Sequence, residues 1–600
     1  MSDPRTHHHD AVGSGIVPAR KQLSGAQMAL RFLESAGVTT VFGIPGGAVL
    51  PLYQAMAGGT SLRHILTRHE QGAGHAASGF AQATGRIGVC IATSGPGATN
   101  LVTSLMDAHM DSVPVLAITG QVPSGLLGTD AFQETDICAI VAPVTKSAVQ
   151  VTSPDDVAPA LREAMVSAIS GRPGPVLVDI TKDALQLTTS AVPLGPVEPC
   201  PGPSPDPGAL REAARALLTA ERPVAYVGGG VTKSGAHSQL RRLVEHLGLP
   251  VVTTLMARGA FPDRHRLNLG MPGMHGTVAA VAALQKADLL LAVGARFDDR
   301  VTGTLASFAP EAAVIHIDID AGELSRKRHA DVAVHADCAS ALTGLFLEVS
   351  RSVEECGGHP GYDPWWQALD RWRTRYPMGY RRHEGKLAPQ FVIERLGLLT
   401  AGPDTVYTTG VGQHQMWAAQ FIAHDHPRGF VNSGGAGTMG YAVPAALGVQ
   451  AAFPRKQVWA IDGDGSFQMT NQELATCVQC HLPIKVAVIN NGSLGMVRQW
   501  QELFHGRNFV ATDLAREDLR VSPDFTELAR AYGCASYRCT REEEVDTAIR
   551  AASSVCDRPA VVEFVVDKEA MVWPMVPAGV SNDELIIARN VRPHFAETDD

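Results

Sequence analysis

Apolar and polar positions alternate between helical and extended patterns from about residue 24 onward. In "SGAQMALRFLESAG", apolar residues recur at helical spacing at Ala26, Ala29, Leu30 and Leu33. Ser24 is a suitable N-cap before this helix, and Gly37 is a suitable stop after it. The next segment, "TTVFGIPGG", is a continuous apolar run that ends in a glycine loop, which is typical of a buried strand.

The same succession of helix and strand recurs along the chain, in "GVCIATSGPG", "SVPVLAITG", "RPVAYVGGG" and "DTVYTTGVG". Strands that alternate with helices form parallel sheets whose two faces are both covered. The pattern therefore predicts an α/β protein built from doubly wound parallel sheets.

Two proline-rich stretches divide the chain into three segments, because such stretches are typical of linkers between domains. The predicted domains span residues 22–191, 209–354 and 387–570, with linkers at 192–208 and 355–386. A flexible N-terminal tail at residues 1–21 and a C-terminal tail at residues 571–600 complete the prediction.

The first and third segments resemble each other. "HEQGAGHAASGFAQATGRIGVCIATSGPGATN" aligns with "NSGGAGTMGYAVPAALGVQAAFPRKQVWAIDGDGSFQ". Gly97 and Gly465 are 368 positions apart, and Gly43 and Gly410 are 367 positions apart. This nearly constant offset predicts two copies of one α/β module with a different module between them. Chance alignment of glycine-rich units is the alternative.

Composition excludes several classes of protein. A chain of 600 residues with 45% apolar and 18% charged residues is long enough for several globular domains. The net charge of −10 disfavours nucleic acid as the main partner. Apolar runs such as "LLLAV" are far shorter than the roughly 20 residues that a bilayer requires. The N-terminal stretch resembles neither a secretion signal nor an organelle address, so we expect a cytoplasmic protein.

Two small clusters could bind metal, but each has a simpler interpretation. His7 to His9 form a short run in the predicted tail, where a flexible segment is the expected explanation. Cys477 and Cys480 form a C-x-x-C without a second pair at zinc spacing, so we interpret them as core residues. Ten cysteines in 600 residues do not predict a disulfide scaffold.

Candidate chemistry lies between the predicted strands "VWAID" and "IKVAVIN". If a right-handed crossover joins them as parallel neighbours, Asp464 and Asn491 follow strand ends that lie side by side. Their oxygen atoms suit Mg²⁺, which commonly keeps a phosphate in its shell. Gly463 and Gly465 allow close backbone approach, and the following helix offers N–H groups to an anion. The sequence predicts a metal-bridged diphosphate here; an ordinary turn is the alternative.

Other phosphate motifs are missing or incomplete. The sequence contains no G-x-x-x-x-G-K-[ST], and "VGGGVTKSG" does not satisfy G-x-G-x-x-G. In the first copy the loop is Gly95-Pro96-Gly97, without a carboxylate, so we expect no metal there. That copy carries Glu70 in "LTRHEQGAGHAA", at a strand-to-helix junction. From the residues alone, Glu70 is either a helix-capping carboxylate or a functional one.

These motifs resemble those of a known family. Gly463-Asp464-Gly465 with Asn490-Asn491 is similar to the thiamine diphosphate motif, and "RHEQGAGHAA" resembles the glutamate segment of that superfamily. More specifically, "SGPGATNLVT", "ITGQVP", "GTDAFQETD", "GRPGPVLVDI", "GARFDDRVTG", "GAGTMGYAVPAALG", "NNGSLGMVRQWQELF" and "PMVPAG" resemble, in order, the large catalytic subunits of acetolactate synthases. The resemblance spans roughly residues 22 to 585.

The resemblance implies a fold, cofactors and an activity. The first domain would bind the pyrimidine of thiamine diphosphate, the third its diphosphate with Mg²⁺, and the central domain FAD. Such enzymes decarboxylate pyruvate and join the hydroxyethyl unit to a second pyruvate or to 2-oxobutyrate, the first common step of valine, leucine and isoleucine biosynthesis. The family also implies a homodimer or homotetramer with active sites between chains, a C-terminal tail over the site, and a small regulatory subunit.

The resemblance also assigns site residues. Glu70 matches the glutamate that hydrogen-bonds the aminopyrimidine N1′, which favours the functional reading of this carboxylate. Arg300 matches the arginine that meets the carboxylate of the second oxo acid, and Trp500 the side chain that favours 2-oxobutyrate. Gln133 is a further catalytic candidate. The substrate pocket is expected to include Gly47, Ala48, Phe132 and Lys182.

Cofactor contacts are implied in the same way. Met439 matches the apolar residue that supports the V shape of the cofactor. The other thiamine diphosphate contacts would be Val411, Gly412, Gln413, His414, Gly437, Gly463, Asp464, Gly465, Ser466, Asn491, Leu494, Gly495 and Met496. The metal ligands would be Asp464, Asn491 and the carbonyl of Ser493. The FAD contacts would be Arg172, Gly228, Gly229, Gly230, Thr254, Leu255, Gly294, Arg296, Asp318 and Asp337.

Two other functions are compatible with parts of this pattern. Another FAD-containing thiamine diphosphate enzyme, such as a pyruvate oxidase or a carboligase for other oxo acids, would share most motifs, although Arg300 and Trp500 argue against it. An inactive paralogue that serves as a regulatory subunit is disfavoured by the presence of Glu70, Asp464 and Asn491. Departures from the family at Ser78, at Ala436 and in "FHGRNF" concern fine substrate preference.

Overall fold

A computed structural model describes residues 22–189, 191, 195–358, 361–515 and 523–594. The predicted N-terminal tail and its run from His7 to His9 therefore lie outside the described residues, as does part of the first predicted linker. Three parallel sheets organise the described chain, and each is flanked by helices. The structure thus confirms the predicted α/β fold class.

The first sheet is built within residues 23–189. The strands of this region are β1 (Leu23–Ser24), β2 (Thr40–Gly43), β3 (Arg63–Leu66), β4 (Gly88–Ala92), β5 (Val115–Gln121), β6 (Ser147–Val151), β7 (Val176–Thr181) and β8 (Thr188–Thr189). Its helices are α1 (Gly25–Ser35), α2 (Leu50–Ala57), α3 (Glu70–Thr84), α4 (Pro96–Thr99), α5 (Val102–Met110), α6 (Ile137–Val141), α7 (Val157–Ile169) and α8 (Lys182–Gln186). The sheet order is β3-β2-β4-β5-β7-β6, and β1 pairs separately with β8.

The first helix begins as the sequence predicts. The Ser24 hydroxyl accepts the Gln27 N–H, and the Gln27 side chain accepts the Ser24 N–H, which forms a capping box. The predicted apolar face is buried, with Ala26, Ala29, Leu30 and Leu33 each at most 4% exposed.

The central sheet has the order β10-β9-β11-β12-β13. Its strands are β9 (Pro223–Val227), β10 (Val251–Thr253), β11 (Leu289–Val293), β12 (Ala313–Asp318) and β13 (Val332–His335). The helices around it are α9 (Pro207–Thr219), α10 (Gly229–Ser234), α11 (His237–Leu247), α12 (Val278–Lys286), α13 (Asp299–Thr302), α14 (Cys338–Glu355) and α15 (Asp363–Arg375).

Helix α15 lies within residues 355–386, which the sequence assigns to a linker, yet it packs on the central domain. The Trp365 indole donates to the Pro223 carbonyl over 3.2 Å, and the Trp366 indole donates to that of Gly248 over 2.8 Å. The glycine and proline residues that precede this helix suggest a linker, although its three tryptophans, Trp365, Trp366 and Trp372, are typical of a packed element. The domain boundaries themselves stay a prediction.

The third sheet has the order β15-β14-β16-β17-β19-β18. Its strands are β14 (Thr405–Thr409), β15 (Phe430–Val431), β16 (Gln457–Gly463), β17 (Lys485–Asn490), β18 (Ala535–Cys539) and β19 (Ala560–Val565). Its helices are α16 (Pro389–Thr400), α17 (Gln413–Phe421), α18 (Ala442–Ala452), α19 (Asp464–Thr470), α20 (Glu473–Gln479), α21 (Gly495–Phe504), α22 (Phe525–Ala531) and α23 (Glu542–Ser554). Single 3-10 turns elsewhere span Ser124–Leu126, Ala142–Val144, Pro154–Asp156, Leu255–Ala257, Leu305–Ser307 and Asn582–Glu584.

The first and third sheets share one topology. The first sheet has the order β3-β2-β4-β5-β7-β6, and the third has the order β15-β14-β16-β17-β19-β18. If the six strands of each sheet are counted along the chain, both orders become 2-1-3-4-6-5. The two modules also share a hydrophobic core, because the small-residue helices α3 and α18 pack against each other. A Cβ at Gly448 would overlap the Ala76 carbonyl, so the short distance between these helices depends on glycine. The predicted repeat is confirmed.

Candidate active site

The carboxyl ends of β16 and β17 lie side by side in the third sheet. Gly463 is in register with Ile489, so Asp464 and Asn491 follow neighbouring strand ends. Asp464 opens α19, whose first N–H groups point toward the same crevice. A parallel pair with a helical crossover therefore brings together one carboxylate, one amide and a helix N-terminus.

A small cavity of about 70 Å³ lies at this edge and is lined by the third module alone. It gathers most of the residues that the sequence assigns to thiamine diphosphate or its metal: Val411, Gly412, Gln413, His414, Met439, Gly463, Asp464, Gly465, Ser466, Asn491, Ser493, Leu494, Gly495 and Met496. Gly437 lines an adjoining, larger cavity instead. Trp417, Ile489 and Val497 also line the small cavity, and sequence reasoning missed them although each flanks a recognised motif.

Close packing in this cavity requires glycine at position 495. A Cβ there would lie 2.5 Å from Nδ2 of Asn491 and would also overlap Oε1 of Gln413. Asn491 donates in turn to Gln413 over 3.3 Å, and its oxygen accepts the Ser493 N–H over 3.0 Å. Backbone and side-chain contacts thus fix the orientation of the Asn491 amide.

Burial determines the charge of the cavity. It raises the pKa of the Asp464 carboxyl to about 7, against the opposing effect of nearby backbone N–H groups, chiefly its own and that of Asn491. Burial also lowers the pKa of His414 to about 3, so that ring is neutral. Nε2 of His414 lies 3.6 Å from Oδ1 of Asp462, and neither Nε2 nor Oδ2 of Asp462 has a hydrogen-bond partner. Of these two residues, His414 lines the cavity, whereas Asp462 is buried behind it.

The donor set at the strand ends fits a hard cation. No three His, Cys, Asp or Glu side chains form a metal cluster within the described part of the chain. A metal held by Asp464, Asn491 and the Ser493 carbonyl would have oxygen ligands with a single protein charge. Such a set suits Mg²⁺ with ligand phosphate and water completing its shell.

A second cavity, of about 670 Å³, lies between the central and third domains, with first-domain residues at one side. It gathers seven residues that the sequence assigns to FAD: Arg172, Gly228, Gly229, Thr254, Leu255, Gly294 and Arg296. Arg300, Gly437, Met496 and Trp500 line the same cavity. Met256, His275, Arg326 and Lys327 also line it and were missed, although Met256 directly follows Leu255 and the two basic residues lie in the run "SRKRHA".

Three predicted FAD residues lie outside this lining. Asp337 caps α14, where its carboxylate accepts the Ala339 N–H over 2.9 Å and the Ser234 hydroxyl over 2.8 Å. Asp318 is buried at the end of β12 and accepts the Asp320 N–H over 2.9 Å. Gly230 lies behind the lining, where a Cβ would come within 2.7 Å of Gly294.

Positive charge accumulates around the larger cavity. Its lining contains five basic side chains and three acidic ones: Arg172, Arg296, Arg300, Arg326 and Lys327 against Asp298, Asp299 and Glu323. Arg172 reaches it from the first domain and pairs with Glu323 over 2.9 Å. Lys233 is half-buried nearby, and removal from solvent lowers its pKa to about 8, with Asp111 opposing the shift. A cavity of this size with arginine side chains suits an elongated anionic ligand.

Glu70 lies at the carboxyl edge of the first sheet, as the opening residue of α3. The N-cap is His69, whose Nδ1 accepts the Gln71 N–H over 3.1 Å. Oε2 of Glu70 instead accepts the Asn100 amide over 2.9 Å. The capping alternative is therefore wrong, since another residue caps the helix and Glu70 contacts the loop after β4.

The other first-domain candidates share this edge. Ala48 donates its N–H to Thr93 over 3.3 Å, and Gln133 adopts a φ of 62° against the glycine at position 95. Phe132 is 87% exposed, and Gly47 is also exposed. Lys182 opens α8, directly after β7.

Neither Glu70 nor these neighbours line the two cavities described above. Within a single chain, the acid and the predicted diphosphate site are therefore separate.

Among the described residues, the structure contains no helix with the length and apolar character of a membrane span.

Family models match three parts of the chain. Residues 23–140 match the thiamine pyrophosphate enzyme N-terminal TPP binding domain, residues 210–345 the central domain, and residues 410–564 the C-terminal TPP binding domain. Each match falls on one of the three sheets. The two TPP binding domains correspond to the repeated modules.

Curated relatives match nearly the whole chain. It is 57% identical to acetolactate synthase of Mycobacterium bovis over 581 residues, which cover 96% of this chain and 93% of the relative. It is 53% identical to the acetolactate synthase large subunit of Corynebacterium glutamicum, covering 97% and 93%. It is 42% identical to the isozyme 3 large subunit of Escherichia coli, covering 95% and 100%. The chain therefore belongs to the acetolactate synthase large-subunit family of thiamine diphosphate enzymes.

Proposed function

We propose that this protein catalyses the decarboxylation of pyruvate and the transfer of the hydroxyethyl unit to a second pyruvate or to 2-oxobutyrate. The observation that carries the proposal is the cavity at the ends of β16 and β17. It places Asp464, Asn491 and His414 around one space at a helix N-terminus. Carboxylate and amide oxygens beside a helix N-terminus suit a metal-bound diphosphate.

Bound thiamine diphosphate supplies a carbon nucleophile and an electron sink for decarboxylation. Asp464, Asn491 and the Ser493 carbonyl would hold Mg²⁺ against the diphosphate, because they are the oxygen donors at the two strand ends. Gln413, His414 and Ser466 line the same cavity and would contact the phosphate oxygens. The remaining contacts are those that the family resemblance assigns.

Glu70 would share a proton with the aminopyrimidine ring. Its carboxylate is half-buried and held by Asn100, so its orientation is fixed before the cofactor binds. Met439 would support the folded shape of the cofactor from the wall of the small cavity. Asn100 was not a sequence candidate for the site.

A second copy of the chain would complete the site. The separation of Glu70 from the Asp464 cavity in one chain supports active sites formed between two chains. Exposed apolar side chains at the first domain support the same arrangement, since Phe132 is 87% exposed and Ile140 43%. We propose a homodimer, or a homotetramer made of two such dimers.

The acceptor oxo acid would bind in the larger cavity. Arg300 lines it with a half-exposed guanidinium, whose one ion pair among the described residues is a long contact of 3.7 Å with Asp299. It would bind the substrate carboxylate through two parallel N–H groups. Trp500 lines the same wall, and its buried indole Nε1 has no hydrogen-bond partner. Gln133, Phe132, Gly47, Ala48 and Lys182 would approach this cavity from the partner chain.

FAD would occupy the rest of the larger cavity, without net redox change in the reaction. The residues with the best support are Arg172, Gly228, Gly229, Thr254, Leu255, Gly294 and Arg296, which line it. Gly230, Asp318 and Asp337 remain proposed contacts, although Asp337 already caps α14.

A separate small regulatory subunit is the proposed protein partner. Two of the relatives are named as large subunits, which supports a second, smaller chain. The cytoplasm is the proposed location.

The test is to supply the purified chain with pyruvate, Mg²⁺, thiamine diphosphate and FAD and to identify the products by NMR. Acetolactate with the flavin still oxidised is expected. Acetyl phosphate, acetate or acetaldehyde as the main product would instead support a pyruvate oxidase or decarboxylase.

A further inference from the structure

Glu473, the first residue of α20, joins the two modules of one chain directly behind the proposed catalytic acid. Its carboxylate accepts the Arg68 N–H over 2.9 Å and 3.1 Å at its two oxygens, and the His69 N–H over 3.1 Å. Arg68 and His69 are the two residues that precede Glu70. The carboxylate of one module thus holds the backbone that presents the acid of the other.

The surroundings of Glu473 are arranged for this contact. Its side chain is fully buried, and the Thr476 hydroxyl is placed to donate to Oε2 over 2.9 Å. A Cβ at Gly72 would lie 2.5 Å from Oε1, so the carboxylate can approach α3 only because this position is glycine. Two backbone N–H groups and one hydroxyl therefore face a single buried carboxylate, which fixes its orientation.

The same helical segment also leads to the proposed metal ligand. Asp464 opens α19 only nine positions before Glu473, and α19 and α20 follow each other with a two-residue break. The diphosphate cavity and the Glu70 junction of one chain are therefore connected through one short segment and three hydrogen bonds. In the proposed dimer, these two sites serve different active sites.

We propose that Glu473 is a positioning residue for Glu70, acting through the Arg68 and His69 amides. This inference rests on the proposed function, in which Glu70 shares a proton with the aminopyrimidine ring. Removing the carboxylate charge would weaken two amide contacts, and an amide side chain would also present its own N–H groups to the Arg68 and Thr476 donors. The strand-to-helix junction would then move, and the Glu70 oxygen would leave its position.

The experiment compares Glu473→Gln with Glu34→Gln in the full-length protein. Glu34 is the control for loss of a hydrogen-bonded carboxylate. It accepts the Ser61 N–H and the hydroxyls of Ser61 and Thr60, but it is half-buried on α1, away from Glu70. The measurements are the dissociation constant of thiamine diphosphate and the rate at which the bound cofactor exchanges its C2 proton, followed by NMR.

We expect Glu473→Gln to slow C2 exchange by about tenfold or more, since general acid–base groups contribute about 10²–10⁴-fold when correctly placed. The dissociation constant should stay close to that of the wild type, because the Asp464 cavity is unchanged. In the Glu70→Gln background, adding Glu473→Gln should slow exchange no further, because both changes act through the same group. Glu34→Gln should leave both quantities unchanged.

Gly72→Ala is a second variant that keeps the carboxylate but displaces it, and it should reproduce the slower exchange. Wild-type exchange in both Glu473→Gln and Gly72→Ala would overturn the inference. Equal losses in the wild-type and Glu70→Gln backgrounds would also overturn it, because they indicate a purely structural contact. Failure of the proposed function is a different result, in which the wild-type protein itself fails to bind thiamine diphosphate or to release acetolactate.

Discussion

The side-chain amide of Asn100 donates a 2.9 Å hydrogen bond to the carboxylate of Glu70. The two residues are 30 positions apart and meet because the loops after β3 and β4 lie at the same edge of the first sheet. A proposed catalytic acid thus has a fixed partner within its own domain.

Replacing Asn100 with alanine should lower kcat by about tenfold. A hydrogen bond to a charged group contributes about 1.5–3 kcal/mol, and about 1.4 kcal/mol corresponds to a factor of ten in rate. The affinity for thiamine diphosphate should change little, and steady-state kinetics with a cofactor titration measures both. Thr99→Ala, which removes an exposed hydroxyl from the neighbouring residue, is the control and should behave like the wild type. An unchanged kcat in Asn100→Ala would argue against this role.

Replacing Glu70 with glutamine should reduce kcat by about 10²–10⁴-fold, because an amide cannot share a proton with the pyrimidine ring. The Asn100 contact can persist through the amide oxygen, so the fold should be retained. Product formation measured alongside the circular dichroism spectrum separates the two effects. If the variant kept full activity, the proposed acid would have to be another residue.

The strand pattern alone was sufficient to predict the Asp464–Asn491 pair. Continuous apolar runs ending in Gly-Asp-Gly and Asn-Asn specify buried parallel strands, and a helical crossover then fixes which ends meet. The offset between Gly97 and Gly465 likewise predicted a repeat, which the equal strand orders of the first and third sheets confirm. These features depend on local periodicity and on general rules of topology.

Contacts between elements distant in sequence could not be predicted in this way. The Glu70–Asn100 bond depends on how two loops converge, and the Glu473 contacts to Arg68 and His69 depend on how two modules pack. Asp337 is predicted to contact FAD, and the structure adds that its carboxylate caps α14, a contact that the sequence pattern does not indicate. Such contacts depend on packing geometry as well as on residue type.

Asp464→Asn should weaken metal-dependent cofactor binding. Removing one partner of a buried charge pair usually costs about 3–5 kcal/mol, which corresponds to roughly 200-fold to 5,000-fold in a dissociation constant. The measurement is activity as a function of Mg²⁺ concentration, after removal of metal with a chelator. Asp425→Asn, which breaks a surface ion pair with Arg264, is the control. Equal Mg²⁺ requirements in Asp464→Asn and the wild type would contradict the proposed ligand.

Protonation of the buried His424 ring should destabilise the folded protein in acid. Burial, with the charge of Arg258, lowers the pKa of its ring from 6.5 to about 3, and the neutral ring contacts the Ala418 carbonyl over 3.1 Å. Because the folded pKa lies below the unfolded one, this contribution is fully present above pH 6.5 and is lost as the pH falls toward 3. Each pH unit in that window costs about 1.4 kcal/mol.

The measurement for His424 is the thermal midpoint between pH 7.5 and 5. His424→Gln cannot titrate, so the difference in midpoint between this variant and the wild type should shrink as the pH falls. Other buried histidines affect both proteins equally and cancel in the comparison. A difference that does not vary with pH would show that folding does not lower the pKa of the His424 ring.

Gly448→Ala should destabilise the contact between the two modules. The new Cβ would overlap the Ala76 carbonyl across the interface of α18 and α3, whereas the same change at Gly402 meets no atom within 4 Å. Overpacking of this kind costs about 1–3 kcal/mol, against a gain in helix propensity of about 1 kcal/mol from replacing glycine. The cost should prevail because the opposing atom belongs to a helix backbone, which cannot rotate away.

We expect a lower thermal midpoint for Gly448→Ala than for Gly402→Ala. Since α3 begins at Glu70, kcat should fall together with the midpoint if the two helices must pack closely to hold the acid in place.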